Sequence, residues 1–463
     1  MRFVLLFCLC CWISPSFSAD RLQVEGYLLP NGLQVLLKAG SQPGHVTIRL
    51  VVGVGFDDFT CADQELPHLL EHLLFSGIDA QGEGGLERRM QSLGGEWNAF
   101  TSDSDTTFVI EVPARNQRKA LDLLLAALTQ TQITEENLAT AKKIVEREDG
   151  GHYSHLQRWL DRQDIGHDAS QQLAVEMGLK CAARATAADL TLKQVNEVRA
   201  QWYAPNNMTL IMVGKLDKFL PAHLERTFGA LDPVEPTERT APSLEPKTAQ
   251  RERELMNGWV GDAAKLHLYF MEPEVETIAP QAWDLLQAYM DWALYSELRL
   301  EQGLSYGPWS QQEAFGNSSA LSLNADVDRS DVPAARSAID KLVQRIRQEG
   351  LDKETFERLK QAAIDRQAWA VQGDSALADY YWGALSDYED GRFADPVHAL
   401  RNISLADINE AARRLFAKPP YVRVEQPMLG YDELEEWITV ASVTFGVAVL
   451  GIAGAVVWRR SRR

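Results

Sequence analysis

The segment 66–75, Leu-Pro-His-Leu-Leu-Glu-His-Leu-Leu-Phe, constrains the fold of this chain more than any other. Its leucines come in pairs four residues apart, as on the buried side of an amphipathic helix. At about 100° per residue, Glu71 and His72 lie within roughly 60° of His68, on the side away from the leucines. The pattern predicts a helix that buries its leucines and presents two imidazoles with a carboxylate between them.

This helical face has the composition of a metal site. Two imidazoles at i and i+4 can bind one Zn²⁺, and a carboxylate on the same face can take a proton from metal-bound water. We therefore predict that His68 and His72 are metal ligands and that Glu71 is the general base. The letters H-x-x-E-H alone also fit a surface helix with two incidental histidines, but the surrounding sequence favours the metal site.

Two further motifs stand near this segment. Phe-Ser-Gly follows the helix at 75–77, and Gly-Gly-Glu-Trp-Asn-Ala-Phe-Thr-Ser stands at 94–102. Together with the H-x-x-E-H order, known as the inverzincin motif, they resemble the pitrilysin/insulinase family of zinc metallopeptidases. The resemblance implies a zinc metalloendopeptidase that holds one Zn²⁺ per chain and hydrolyses peptides or unfolded protein segments.

The resemblance also implies a third zinc ligand, a glutamate about 75 residues beyond the second histidine. Glu148 fits this pattern, whereas Glu146 is out of phase with it and is the weaker candidate. The family usually has another acid seven residues before the ligand. Ala141 stands there, so that supporting role is missing or filled from elsewhere. His152 and His155 are rival ligands by proximity alone.

The second half of the chain has no H-x-x-E-H, and its histidines, His267 and His398, are isolated and predicted to be structural. It carries Arg-Leu-Glu-Gln-Gly-Leu-Ser-Tyr at 299–306, which resembles the Arg-x-x-x-Gly-Leu-x-Tyr element of the family. The resemblance implies that Arg299 and Tyr306 stabilise the oxyanion of the tetrahedral intermediate, because both donate hydrogen bonds. The alternative is a helix end with a surface arginine.

Substrate binding is expected at Asn98 and Ala99, on an edge strand to which a peptide can add as an extra strand. Such binding contacts the backbone more than the side chains, so we expect broad sequence preference.

The two ends of the chain predict its location. Residues 1–19 combine a basic start, an apolar run and small residues, as in a secretory signal peptide. Residues 437–458 are 22 positions without a charge, which span about 33 Å as a helix and so predict a transmembrane helix. The arginine-rich tail 459–463 is then cytoplasmic. We expect an inner-membrane protein with its catalytic domain on the periplasmic side; a buried core helix is the alternative.

Charge limits the partners. The chain has a formal net charge of −19, and its hydrophobic ends contain no acidic residue, so the part between them is more acidic still. This argues against nucleic acid and favours cationic peptide substrates, although a well-solvated surface explains it equally well. Only Cys61 and Cys181 lie outside the signal peptide. They could pair in an oxidising compartment, but nothing in the sequence shows that they meet.

The part between the ends is too long for one core and suits two domains. We predict domains at 20–231 and 257–430, joined by a proline-rich linker at 232–256. Residues 190–197 resemble residues 403–410, which indicates duplication of a whole domain.

Strands and helices alternate in blocks within each half. Strands are predicted at 34–38, 45–53, 107–112, 208–213 and 421–424, and helices at 118–128, 135–148 and 192–202. The fold class is therefore α+β: two homologous domains, each a mostly antiparallel sheet with helices on one face, plus the C-terminal transmembrane helix.

The family resemblance also has a consequence for assembly. Members build a closed chamber from four such domains, either in one long chain or by pairing two short ones. A homodimer is therefore expected, in which Arg299 and Tyr306 of one copy face the zinc of the other. The alternatives are a heterodimer with a related inactive subunit, a non-catalytic or weakly active peptide-binding subunit, and a zinc enzyme acting on something other than peptides.

Overall fold

The computed structural model describes residues 20–75, 83–148, 168–181, 187–236, 239, 244–273, 278–315, 318–369 and 371–462. The signal peptide predicted at 1–19 and the rival ligands His152 and His155 lie outside the described residues.

Most strands lie in two large sheets, one in each half of the chain. The strands are β1 (Glu25–Leu28), β2 (Gln34–Ala39), β3 (His45–Val52), β4 (Glu96–Thr101), β5 (Thr106–Pro113), β6 (Met208–Gly214), β7 (Glu252–Val260), β8 (Ala263–Met271), β9 (Trp309–Phe315), β10 (Ser318–Asp328), β11 (Tyr388–Glu389), β12 (Arg392–Phe393) and β13 (Tyr421–Leu429). Strands β11 and β12 form a separate hairpin. The predicted strands are confirmed, with ends that differ by one residue, except that the strand predicted at 421–424 continues to Leu429.

The two large sheets have the same topology. The first runs β1-β2-β6-β3-β5-β4 and the second runs β7-β13-β8-β10-β9. When β1 is left out and the five remaining strands of each sheet are counted in chain order from β2 and from β7, both sheets have the order first, fifth, second, fourth, third. The first and fifth strands are parallel in both sheets, and the other neighbours are antiparallel. This shared order supports the duplication inferred from the repeat.

The helices are α1 (Leu66–Phe75), α2 (Glu83–Ser92), α3 (Gln117–Gln130), α4 (Glu135–Glu148), α5 (Ala169–Glu176), α6 (Leu192–Trp202), α7 (Leu220–Arg226), α8 (Pro280–Leu294), α9 (Val332–Glu349), α10 (Lys353–Trp369), α11 (Asp374–Gly383), α12 (Pro396–Asn402), α13 (Leu405–Leu415) and α14 (Tyr431–Ser461). Helix α8 continues as a π-helix over Tyr295–Glu301. All three predicted helices are present.

The repeated sequence has a structural reason. Thr191 caps α6 by accepting a hydrogen bond from the amide of Gln194, whose side chain bonds back to the Thr191 amide. Ser404 and Asp407 form the same capping box at the start of α13. The two similar segments are therefore equivalent helix starts in the two halves.

Both faces of each sheet are covered, which differs from the prediction of helices on one face. The outer face of the first sheet packs against α11 and the β11–β12 hairpin, which come from the second half. The outer face of the second sheet packs against α5, which comes from the first half. We call α5 and α11 the exchanged helices. Sequence periodicity identifies apolar faces but does not identify the sheet that each face covers.

Each exchanged helix also receives a buried arginine from the sheet that it covers. Arg49 on β3 is 2% exposed and donates to Asp379 of α11 at 2.7 Å. Arg423 on β13 is fully buried and donates to Glu176 of α5 at 2.7 Å. The halves are therefore joined by reciprocal apolar and ionic contacts.

Strand β7 begins at Glu252, inside the predicted linker 232–256. Glu252 and Glu254 are exposed while Leu255 is buried. These exposed acidic residues explain why the sequence pattern predicted a linker here instead of a strand. At the other end, α14 contains the predicted span 437–458; within the described residues it is the one helix long and apolar enough to cross a membrane.

Candidate active site

The site is built on α1, which lies between strands β3 and β4 of the first half. Its five leucines are at most 4% exposed and pack into the core of that half, as the periodicity predicts. The opposite side of the helix carries His68 and His72, which remain partly accessible, and Glu71, which is 8% exposed.

Three predicted ligands meet in front of α1. The Nε2 atoms of His68 and His72 are 3.2 Å apart. One carboxylate oxygen of Glu148, at the end of α4, lies 3.3 Å from the first and 3.2 Å from the second. The three ligand atoms thus form a nearly equilateral triangle open on one side, because Glu148 is half exposed.

This triangle has the dimensions of a zinc site. Three atoms bound at about 2.1 Å with tetrahedral angles are separated from one another by about 3.4 Å. Two imidazole nitrogens and one carboxylate oxygen are also a ligand set that zinc accepts, with a fourth position left free. The residues present therefore fit the metal.

Glu71 lies beside the triangle and is held from behind. The hydroxyl of Thr101, the last residue of β4, donates to its carboxylate at 2.7 Å. Burial raises the pKa of Glu71, against the lowering effects of this hydrogen bond and of the two histidines. A carboxylate with a raised pKa is suited to take and return a proton near neutral pH, although a bound cation would oppose the rise.

Glu65, which the sequence analysis did not single out, supports the first ligand. Its carboxylate lies 3.0 Å from Nδ1 of His68 and is 1% exposed. Burial lowers the pKa of the imidazole, but the hydrogen bond with Glu65 and the nearby carboxylate charges outweigh it, so the pKa of His68 is raised. The sequence signal was an acid three residues before a candidate ligand, directly before the helix that carries that ligand.

The predicted substrate strand is β4, which forms an edge of the first sheet. Asn98 is exposed and Ala99 is 7% exposed. The Asn98 side chain accepts a hydrogen bond from the Ala99 amide at 2.9 Å. Ala99 is therefore two residues along β4 from Thr101, whose hydroxyl donates to Glu71.

Arg299 and Tyr306 are not brought to this triangle within the chain. Arg299 donates to the backbone carbonyl of Tyr306 at 2.6 Å, and its guanidinium lies 4.1 Å from the centre of the Tyr306 ring. Tyr306 is 82% exposed. In the part of the chain that the structure describes, neither residue has a hydrogen bond, ion pair or ring contact with the first half.

The remaining candidates lie outside the triangle. Glu146 is exposed on α4, and Ala141 is buried in the core at 5% exposure. His267 is buried and bonds to Asn324 at 2.7 Å, in agreement with a structural role. His398 is on the surface beside Asn402.

A disulfide joins Cys61 and Cys181 across 120 residues. Cys61 precedes α1, and Cys181 follows the exchanged helix α5. The bond therefore connects the start of the candidate metal helix to the segment that packs on the second sheet, an arrangement that the sequence left open.

Comparison with known proteins agrees with this geometry. The family model described as Insulinase (Peptidase family M16) matches residues 34–165, and that described as Peptidase M16 inactive domain matches residues 189–363. The chain belongs to this family. The first model covers the half with the histidine–glutamate triangle, and the second covers most of the half without it.

Curated relatives of the chain are named zinc proteases. The uncharacterized zinc protease YmxG of Bacillus subtilis is 19% identical, with 85% of this chain and 96% of that protein covered. The probable zinc protease PqqL of Haemophilus influenzae is 24% identical over 86% of this chain but 46% of its own length. The chain thus spans about half of the second relative.

Solved structures share the fold. A protease from Helicobacter pylori superposes with a TM-score of 0.69 at 18% identity, covering 88% of this chain and all of that one. The periplasmic protease PqqL from Escherichia coli gives a TM-score of 0.71 at 16% identity, covering 88% of this chain and 45% of that one. These neighbours support the two-domain α+β architecture.

Proposed function

We propose that the chain is a membrane-anchored, extracytoplasmic zinc metalloendopeptidase that hydrolyses peptides or unfolded protein segments. The observation that carries the proposal is the triangle of His68, His72 and Glu148, with the buried carboxylate of Glu71 beside it. One Zn²⁺ per chain fits that triangle.

Zinc, when bound, would supply Lewis-acid polarisation of the scissile carbonyl and make a water molecule more acidic. Glu71 takes the proton as water attacks and delivers it to the leaving amine. The hydroxyl of Thr101 orients this carboxylate. The peptide adds to the β4 edge near Asn98 and Ala99, where main-chain hydrogen bonds align it.

The proposed location rests on the ends of the chain. The uncharged stretch of α14 is followed by arginines, which favours a cytoplasmic tail and a periplasmic catalytic domain. PqqL of E. coli, which shares the fold, is described as periplasmic. The disulfide also suits an oxidising compartment. The acidic surface favours cationic substrates.

A second copy is proposed to complete the site. Tyr306 and Leu300 are 82% and 58% exposed beside Arg299, and together these side chains form an apolar and cationic surface. Within the described residues, neither Arg299 nor Tyr306 has a hydrogen bond, ion pair or ring contact with the first half. In a homodimer, Arg299 and Tyr306 of one copy would stabilise the oxyanion formed at the triangle of the other. A related inactive subunit is the alternative partner.

The proposal is tested with three glutamate variants of the full chain. Glu71→Gln should retain zinc but lose hydrolysis of a fluorogenic peptide, because the base is not a ligand. Glu148→Gln should lose both. Glu146→Gln, on the same helix but outside the triangle, should keep both and is the matched control. Zinc is measured by elemental analysis.

A Glu71→Gln protein that cleaves at the normal rate would refute the mechanism. A wild-type chain that binds zinc and peptide but cleaves neither peptides nor unfolded proteins would favour the alternative, a non-catalytic or weakly active peptide-binding subunit. Chelator-sensitive cleavage of a non-peptide substrate alone would favour a different zinc enzyme.

A further inference from the structure

The junction between the second sheet and α14 is one residue long and is fixed by side-chain hydrogen bonds. Strand β13 ends at Leu429 and α14 begins at Tyr431. The amide of Tyr431 donates to Asp262 at 3.0 Å, and Arg329 pairs with Glu433 at 2.5 Å. The helix therefore leaves the sheet in a fixed direction.

Four large apolar side chains are exposed around this junction. Trp259, Val260, Met428 and Tyr431 are 43%, 36%, 57% and 61% exposed. The parallel register pairs Leu429 with Val260, so Met428 and Trp259 are neighbours on adjacent strands. We call these four residues the junction patch. It borders the start of α14, where Asp432, Glu433, Glu435 and Glu436 precede the uncharged stretch.

The distance from this patch to the uncharged stretch is slightly larger than the thickness of the headgroup layer of a bilayer. Six residues, 431–436, separate the sheet from the uncharged stretch that begins at Trp437, which corresponds to about 9 Å of helix. The interfacial layer occupies about 5–8 Å on each side of the hydrocarbon core. Tryptophan and tyrosine are enriched at that depth, because their rings are amphipathic.

We propose that the junction patch seats on the lipid headgroups and fixes the orientation of the catalytic domain relative to the membrane. This inference rests on the membrane anchoring stated under Proposed function. The fixed hydrogen-bonded joint favours a lipid surface as the partner, because the direction of α14 determines which part of the domain meets the bilayer.

The test is photo-crosslinking of the full chain in phosphatidylcholine vesicles that contain a lipid with a diazirine near its headgroup. Mass spectrometry should find crosslinks in peptides that contain Trp259 and Met428, as well as in α14. Phe219, which is 56% exposed on the first half, is the control and should stay at background. Trp259→Ser with Met428→Ser should lose the crosslinks of the patch but still float with the vesicles.

The outcomes separate the two ideas. If α14 crosslinks and the chain floats with the vesicles while the patch stays at background, the seating surface is wrong and the anchor stands. If the chain does not float with vesicles at all, the anchor fails, and this inference fails with it.

A different observation concerns zinc affinity. Nδ1 of His68 lies 3.0 Å from the buried Glu65 carboxylate, which is an acceptor for an Nδ1 proton, while Nε2 of His68 faces Glu148 and His72. Hydrogen bonds of this kind fix the tautomer and orientation of ligand imidazoles. Ala141, on α4, offers no carboxylate to the site.

We infer that Glu65 is a positioning residue that supplies, from the start of α1, the supporting acid that α4 lacks at position 141. Through His68 it acts on zinc binding more than on stability. The inference rests on the proposed zinc site, and its readout is the zinc dissociation constant rather than activity.

Zinc affinity is measured by competition with a chromogenic chelator. Glu65→Ala should weaken it by about 10- to 100-fold, and Glu65→Gln, which keeps an acceptor, by less. Asp58→Asn is the matched control, since Asp58 is a buried acid bonded to Gly55 and Arg239 instead of a ligand. It should alter the melting temperature of the zinc-free protein but not the affinity.

If Glu65→Ala leaves the zinc affinity unchanged and lowers the melting temperature, as Asp58→Asn does, then Glu65 has only a structural role. A wild-type chain that binds no zinc would instead overturn the proposed function itself.

Discussion

The two halves of this chain share one strand order but differ in the helical connection between their second and third strands. In the first half, α1 presents His68, Glu71 and His72 in front of the sheet. In the second half, α8 is longer and continues as a π-helix that ends near Arg299. The sheet supplies an equivalent frame in both halves, so the chemistry depends on the side chains that the surrounding helices present, here those of α1 together with Glu148 of α4.

The difference suggests a division of roles within a duplicated domain. One copy carries the proposed ligands and the proposed base, whereas the other presents an arginine and a phenol on an exposed surface.

The first prediction compares one histidine from each half. His72→Ala should abolish both zinc content and peptide hydrolysis, because it removes a ligand from the triangle. His267→Ala, in the second half, should keep a full equivalent of zinc, because His267 bonds to Asn324 within its own core. Elemental analysis and a fluorogenic peptide assay check both variants. Zinc loss in His267→Ala would contradict the assignment of metal binding to the first half.

The second prediction tests whether the halves of different copies cooperate. Arg299→Ala should lower kcat by about 10²- to 10³-fold, as loss of an oxyanion donor does. Mixing it with Glu71→Gln under subunit exchange should restore about a quarter of wild-type activity, because half of the symmetric dimers are mixed and each holds one complete site. A fully active monomer by light scattering, or no recovery despite proven exchange, would exclude the composite site.

The third prediction compares the two buried arginines that bind the exchanged helices. Glu176→Gln leaves Arg423 buried without its carboxylate and should cost about 3–5 kcal/mol of unfolding free energy. Burial already lowers the pKa of Arg423 to about 10. Asp379→Asn should cost less than about 1 kcal/mol, because Asp379 is half exposed and Glu111 still pairs with Arg49. Urea unfolding measures both, and the reverse order would refute this ranking.

The fourth prediction concerns the disulfide, since the second half contains no cysteine. Replacing Cys61 and Cys181 by serine should cost about 2–4 kcal/mol of stability. Hydrogen exchange should become faster in α1, whereas α8 should change little. Equal changes in both helices would show that the disulfide stabilises the whole chain rather than the first half.

Local patterns predicted much of the fold and the core of the site. Leucine spacing predicted α1, and the family motif placed Glu148 correctly beside the histidines. The destination of α5 and α11 was not predictable, because an apolar face does not specify a distant partner. Glu65 was missed because its role depends on a three-dimensional contact with His68, and the disulfide because 120 residues separate its cysteines.

The exchanged helices also govern the order in which the chain can complete its structure during synthesis. The outer face of the first sheet, with Leu36, Val51 and Ile211, is closed by Tyr381 and Phe393. These two residues are synthesised after most of the second half. The newly made first half therefore exposes an apolar sheet face until then, which is a surface that a chaperone can bind. Cleavage within the linker of the finished protein should leave two fragments that remain associated.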